Sequence, residues 1–333
     1  MYLITNANHH QRKPVRRLPA QSNAETPIDS EQMRLPYPGR ERKILSIERF
    51  EGSSPRRVED LVATEEPLEI HIVFGKRGAR QVKSISITMR TPGHDAELAL
   101  GFLFSEGIIR DIDEVESVAS SDRDLPMESN PTHRHWPADN VVSVELAPEL
   151  VLNLATLQRN FYTTSSCGVC GKASLLALRS VFPAPVDDSF AIETDTLYDL
   201  HSRLRSAQRI FQDTGGLHSA ALFTAEGELL SIREDVGRHN ALDKIVGTAM
   251  FKDEMPLRDR MLLLSGRASF ELLEKAVMAG IPLVAAVGAP SSLAVAVAVE
   301  FDVTLIGFLR DDHFNVYHGA QRLRVRNGSL SSV

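Results

Sequence analysis

The chain holds two cysteines, Cys167 and Cys170, both inside Ser165-Ser166-Cys167-Gly168-Val169-Cys170-Gly171. Thiols separated by two residues reach each other across a single turn, and Gly168 and Gly171 clear side-chain bulk so that a large partner can approach. The hydroxyls of Thr163, Thr164, Ser165 and Ser166 favour a thiolate, as does the positive end of a helix expected at 172–178. Three chemistries compete for such a pair. Structural zinc takes four ligands, and with no further cysteine it would need His218 and His239. Thiol oxidoreduction of the thioredoxin kind expects CxxC soon after the first strand of a small fold, whereas this one lies mid-chain. The third is sulfur carriage, in which a nucleophilic thiolate accepts a sulfane sulfur as a persulfide and passes it on. A deaminase zinc site is excluded, because HxE and PCxxC are both missing.

A second group of residues follows predicted strands: Ser265-Gly266-Arg267, Gly288-Ala289-Pro290-Ser291-Ser292 and Arg310-Asp311-Asp312-His313. In an open parallel sheet, ligands sit beyond the carboxyl ends of the strands, so these loops should converge on one edge. Hydroxyls at helix starts and two arginines suit a phosphate-bearing ligand; ordinary turns with solvated arginines fit the same spacing. The stretch 233–240 packs six polar residues into eight positions ahead of a helix. Asp235 there reads as a cap and Glu234–Arg238 as a surface ion pair, while His239 is either structural or an acid/base or anion-binding group. His218, after Gly215-Gly216, is either a strand-start histidine satisfied by backbone or a site residue.

The elements that must position these groups fall in order along 333 residues, enough for one large domain or two. A net charge of −7 gives no global reason to expect nucleic acid as a partner. The run 281–309 is the most apolar, but Gly288, Pro290, Glu300 and Asp302 interrupt it, so no membrane span is expected. Residues 1–20 carry Arg16-Arg17 without the apolar run of an export signal, and two cysteines make no disulfide framework; the cytoplasm is the expected compartment. Residues 1–43 read as a disordered leader. An N-terminal β-rich α+β subdomain is expected at 44–160, with strands at 44–49, 66–74, 81–89 and 141–146. Its helix, 95–106, would be capped by Thr91 with Pro92 at the first helical position. Residues 120–139 read as a polar surface excursion and 161–190 as the CxxC loop and linker. From 191 to 333, a long helix at 194–213 precedes strands at 219–223, 229–233, 261–265, 281–287 and 303–309, alternating with helices at 240–250, 269–279 and 291–301. That alternation predicts parallel pairing through right-handed crossovers and a three-layer α/β sandwich.

Five blocks in order carry a resemblance: TPGHDAELALGFLFSEGII (91–109), SSCGVCG (165–171), TGGLHSAAL (214–222), REDVGRHNALDKIVG (233–247), and the pair SGRASFELLEKAVMAGIPLVAAVGAPSSLAV (265–295) with LIGFLRDDHFNVY (305–317). From about residue 44 onward the chain resembles the FdhD family, the formate dehydrogenase accessory sulfurtransferases. The resemblance implies a core similar to cytidine deaminase without its zinc, and a homodimer. It implies a sulfur carrier that takes sulfur from a cysteine desulfurase. The sulfur would go to the molybdenum or tungsten bis-guanine-dinucleotide cofactor before that cofactor enters formate dehydrogenase, with no tightly held metal of the carrier's own. Cys167 would carry the persulfide and Cys170 assist. The family's cofactor-binding stretch falls on Phe308, Leu309, Arg310, Asp311, Asp312 and His313, and the strand-end residues Ser265, Gly266 and Arg267 with His218 and His239 join it as candidates. The leader and the 120–139 insertion depart from the family pattern.

Overall fold

Apolar residues at every second position, as at Leu68, Ile70 and Ile72, mark the strands of the main sheet in the first half. In the computed structural model, which describes residues 40–120, 140–152 and 190–325, β3 (Glu66–Phe74) and β4 (Gln81–Arg90) pair antiparallel across the 75–80 turn. They join β5 (Val115–Ser120) and β6 (Val141–Leu146) in a four-stranded sheet of order β4-β3-β6-β5. Leu68, Ile70, Ile72, Val142 and Val144 bury one face of it. Ahead of it, β1 (Arg42–Glu51) and β2 (Ser54–Ala63) form a separate antiparallel hairpin. Arg42 and Lys43, expected in the leader, thus already pair in a strand, and β2 and β5 were not visible as strands in the sequence.

The helix after β4, α1 (Asp95–Ser105), starts later than its expected cap. His94, in the left-handed region at φ 59, takes the N-cap position. Thr91 is not free to cap, because its hydroxyl accepts the Val236 N–H at 3.2 Å.

The second half is a six-stranded sheet of order β13-β12-β11-β10-β8-β9. Its members are β8 (His218–Thr224), β9 (Leu229–Asp235), β10 (Arg260–Leu264), β11 (Leu283–Ala286), β12 (Thr304–Gly307) and β13 (Asn315–His318). Two short strands, β7 (Ile192–Glu193) and β14 (Leu323–Arg324), pair separately. Parallel pairing, expected where strands alternate with helices, holds within the six-stranded sheet for β10 with β11 and for β11 with β12. The β8–β9 and β12–β13 connections hold no crossover helix, so those pairs are antiparallel, as is β8 with β10.

Alternation along these strands sorts their side chains onto two faces. Ala221, Phe223, Met261, Leu263, Leu283 and Ile306 meet Leu197, Leu200 and Leu204 of α2 (Thr194–Ala207). Leu222, Leu262, Leu264, Val284 and Leu305 meet α4 (Arg238–Phe251), α5 (Phe270–Met278) and α6 (Ser292–Glu300). The expected single helix 194–213 is broken at Gln208, where ψ is 76°, into α2 and α3 (Arg209–Thr214).

Residues Asn240 to Met250 of α4 are all buried, because the sheet lies on one side and α1 on the other. The α1–α4 crossing is at backbone distance: a Cβ on Gly101 would stand 1.8 Å from the Asp243 carbonyl oxygen, and one on Gly247 would stand 1.9 Å from that of Glu97. One apolar core therefore runs from β3 and β6 through α1 and α4 to β12. No helix among the described residues is long and apolar enough to cross a membrane.

Candidate functional site

Cys167 and Cys170 lie outside the described residues, so the site is built from the strand-end loops. The loops after β10, β11 and β12 are stitched together by main-chain bonds. The Gly288 N–H donates to the Gly266 carbonyl at 2.8 Å, and the Phe308 N–H donates to the Gly288 carbonyl at 3.2 Å. Gly288 is required here, since a Cβ would come within 2.9 Å of the Gly266 carbonyl oxygen and the Arg267 nitrogen. Ser291 caps α6 by accepting from the Ala294 N–H at 3.2 Å. Arg310 turns its guanidinium inward, donating to the carbonyls of Val287 and Leu309 at 2.7 Å each.

The other residues of that last loop divide. Leu309 is fully buried in the core beneath α2. Phe308 is 38% exposed and held in the left-handed region at φ 54. Asp312 and His313 pair with each other in solvent at 2.7 Å. Asp311 reaches across to α2, where its Oδ1 is 3.0 Å from His201 Nδ1.

Between this edge and the α2–α3 face lies a cavity of about 440 Å³, lined by His201, Gln208, Phe211, His218, Ser265 and Gly266 among others. Ser265 accepts the Ser219 N–H on its hydroxyl at 2.8 Å, which ties the β10 end to the start of β8. Gly266 leaves room for the His218 ring, whose Nδ1 would be 3.2 Å from an added Cβ. Burial, with Arg238 and Arg267 nearby, lowers the pKa of His218, so its imidazole is neutral at pH 7. Arg267 itself is exposed. His239 lies in the first turn of α4, where its Nε2 is 3.2 Å from Glu271; burial lowers its pKa against the pull of that carboxylate. It is not among the residues lining the cavity. The described residues contain no cluster of three or more His, Cys, Asp or Glu side chains able to hold a metal.

The polar stretch 233–240 is an anchor. Glu234 accepts the Ile210 and Phe211 N–H groups at 3.0 and 2.8 Å, satisfying the start of α3. Those bonds replace the expected Glu234–Arg238 pair. Asp235, fully buried, accepts the Gly237 N–H at 2.8 Å and the Asn240 amide at 3.0 Å on Oδ1. Its Oδ2 receives the Thr91 N–H at 3.2 Å and Lys244 Nζ at 2.6 Å. Lys244 also donates to the Thr91 carbonyl at 2.9 Å. The β4–α1 junction is thereby fastened to the N-terminus of α4, which carries Arg238.

Sequence reasoning did not single out His201, Gln208 or Lys244, and it gave Thr91 only a capping role. The only signal for the first two is their spacing of seven, which puts both on one helical stripe.

The arrangement defines an α/β protein with a mixed sheet and a ligand-sized cavity at its strand ends. A family model described as the FdhD/NarQ family matches residues 63–324, and the chain belongs to that family. It is 51% identical to the sulfur carrier protein FdhD of Streptomyces avermitilis, over 86% of this chain and 95% of that one. With the sulfur carrier protein FdhD of Streptomyces coelicolor it is 50% identical, over the same shares. A crystal structure described as a formate dehydrogenase accessory protein of Desulfotalea psychrophila superposes with a TM-score of 0.63. That likeness, at 20% identity, covers 85% of this chain and 99% of the other, and shows a shared fold.

Proposed function

We propose that this protein carries sulfur for the maturation of a formate dehydrogenase. The observation that carries the proposal is that its only two thiols sit in SSCGVCG, inside the family match, in a chain half identical to sulfur carrier proteins. In the first step the Cys167 thiolate attacks the outer sulfur of a cysteine desulfurase persulfide. A Cys167 persulfide forms, and the desulfurase leaves as a thiolate. In the second, the Cys170 thiolate attacks the inner sulfur of that persulfide, closing a Cys167–Cys170 disulfide and releasing sulfide to the metal of the cargo cofactor. The sulfane sulfur gains two electrons as the thiol pair loses two, so a dithiol reductant must reopen the disulfide before the next cycle.

The cargo is a molybdenum or tungsten bis-guanine-dinucleotide cofactor. The strand-end cavity, the neutral His218, and the charges of Arg238 and Arg267 support binding of its phosphates and bases near Ser265–Arg267 and Phe308–His313. The sheet order β9-β8-β10-β11-β12, with helices on both faces, supports the three-layer, cytidine deaminase-like reading. The partners on this reading are the desulfurase, formate dehydrogenase and a second copy of the chain, all in the cytoplasm.

The test is intact mass after incubation with a cysteine desulfurase and cysteine, on wild type and on Cys167→Ala and Cys170→Ala. The expected result is a reductant-sensitive gain of about one sulfur that disappears in Cys167→Ala. No gain in wild type would reject sulfur carriage. Cofactor binding without that gain would favour a second reading, a chaperone that only escorts the cofactor, which the cavity also supports.

A further inference from the structure

The hairpin β1–β2 is an arm that exposes apolar side chains on both faces. Its strands form one antiparallel ladder from Arg42↔Ala63 to Glu51↔Ser54, about 33 Å long at the usual rise per residue. Among the described residues no third strand joins them. The base is held: Arg42 pairs with Asp213 of α3, and the Ala63 methyl lies 3.8 Å from where a Cβ on Gly216 would stand. Further out, Ile44 and Phe50 are each 65% exposed and Leu45 46%. By alternation Ile44 and Phe50 stand on one face, Leu45 and Ile47 on the other. A two-stranded ribbon is at best marginally stable in water and needs further strands or a packed partner. The family match begins at residue 63, so the arm lies outside it. The two edges of the arm differ. On β2, Pro55 lacks an N–H and is followed by Arg56 and Arg57, whereas β1 carries no proline.

We propose that β1 is a self-pairing edge, which joins the β1 strand of a second copy of this chain antiparallel, about a two-fold axis at Ile47, into a four-stranded sheet. The inference rests on the second copy named among the partners above and gives it a surface. An axis perpendicular to the sheet preserves its faces, so each residue meets one of the same parity. With Ile47 on the axis, Ile44 meets the partner's Phe50 and Lys43 meets the partner's Glu51. The pairings Ile44↔Leu61, Ile47↔Val58 and Phe50↔Pro55 within each arm then extend into apolar rows across all four strands. One row runs from Leu61 and Ile44 to the partner's Phe50 and Pro55; the central one runs from Val58 and Ile47 to the partner's Ile47 and Val58. Charge disfavours the neighbouring registers. An axis at Ser46 sets Lys43 against the partner's Arg49, and an axis at Glu48 sets Glu48 against the partner's Glu48. Within the chain, Lys43 and Glu51 make surface pairs, with Glu66 at 3.5 Å and Arg56 at 2.5 Å, on side chains 58% and 63% exposed. Such pairs are weak enough to be exchanged. The edge 43–51 is about 30 Å long, which places the interface at the lower end of specific ones, about 1,200 Å² in total, with a Kd on the order of micromolar.

The experiment is analytical ultracentrifugation of the full chain over a concentration series. Wild type should dimerise reversibly. Lys43→Glu and Glu51→Lys each set like charges opposite each other at two symmetric places and should weaken the dimer about tenfold. The double variant exchanges the charges and should return to within about threefold of wild type. Positions 43 and 51 are about 27 Å apart along one strand, so that rescue arises between copies and not within one. Crosslinking reads the register. In a Cys167→Ala, Cys170→Ala background oxidised with diamide, Ile47→Cys should give a covalent dimer, because the two side chains meet on the axis with Cβ atoms about 5 Å apart. Leu45→Cys should not, since its counterpart lies about 13 Å away along the edge. Single charge variants as tightly dimeric as wild type, with no Ile47→Cys crosslink, would overturn the arm interface while leaving the second copy in place. Charge variants that stay dimeric yet lose persulfide loading would give the arm to the desulfurase and overturn the proposal. A wild type that is monomeric well above micromolar concentration would overturn the second copy and the arm together.

Discussion

Replacing Lys244 by methionine probes the buried ion pair that fastens the two halves of the molecule. Methionine keeps the length and apolar packing of the lysine stem and removes only the ammonium. What remains is a carboxylate, Asp235, with no measurable exposure, and a Thr91 carbonyl without its donor. Removing one partner of a buried pair destabilises by about 3–5 kcal/mol, because the other charge stays desolvated and uncompensated. Three N–H donors still reach Asp235, from Thr91, Gly237 and Asn240, which sets the expectation at the lower end, about 3 kcal/mol. Urea unfolding of the wild type, Lys244→Met, Asp235→Asn and the double variant reads this directly. The double variant removes both charges and should recover about 1–2 kcal/mol relative to the sum of the single changes. A Lys244→Met protein within about 1 kcal/mol of wild type, or a double variant no better than additive, would refute the claim that the pair holds an otherwise unpaid charge in the core.

Other perturbations have equally definite outcomes. Gly247→Ala drives a methyl group against a main-chain carbonyl that cannot rotate away, and should destabilise by about 3 kcal/mol or more in the same assay; Gly247→Ser should be worse. Burial and the neighbouring Glu106 push the Glu274 carboxyl up to about 7. A carboxyl whose pKa is raised on folding binds its proton more tightly in the folded state, so its stabilising contribution is lost as pH rises from 4.5 to about 7. Glu274→Gln should therefore match wild type near pH 4 and exceed it above pH 7, by an amount on the order of 2 kcal/mol in the denaturation midpoint series. Asp302, held below the usual carboxylate range chiefly by its hydrogen bond from Arg322, presents the opposite sign. Asp302→Asn keeps the left-handed backbone that Asn tolerates and should lose about 1 kcal/mol at pH 7, a figure discounted for the solvent-facing carboxylate. The deficit should shrink on acidification below pH 3.8, as the wild-type carboxyl takes up its proton as well.

Strands whose apolar residues recur at every second position were legible from sequence. The bounds of β3 and β6 were read to the residue, because Leu68, Ile70 and Ile72, and Val142 and Val144, sit on one pleat face. The hairpin strand β2 was not, because Ser54 to Arg57 is exposed and polar on both faces and carries no period. Strand direction was legible only where a helix fills the connection, and β13 was not foreseen as a strand at all. The convergence of Ser265, Gly288 and Arg310 on one edge follows from topology alone and was foreseeable. The link from Asp235 to Thr91 spans 144 residues, a separation at which local pattern says nothing. His201 and Gln208 were hidden for a different reason: polar residues on an amphipathic helix read as solvent-facing until a neighbouring loop is known to cover them.

The glycine crossing of α1 on α4 makes the two sides of the cavity unequal in stiffness. Where two helices touch through main chain at both Gly101 and Gly247, neither can slide or roll without a collision. The sheet edge that α4 supports, with His218 and Ser265 on it, therefore behaves as an anvil. The opposite wall is jointed: α3 is six residues long, departs from α2 at a residue with non-helical ψ, and is tethered at its start by Glu234. Of the two walls, the jointed one is the more compliant, with Gln208 at its hinge point.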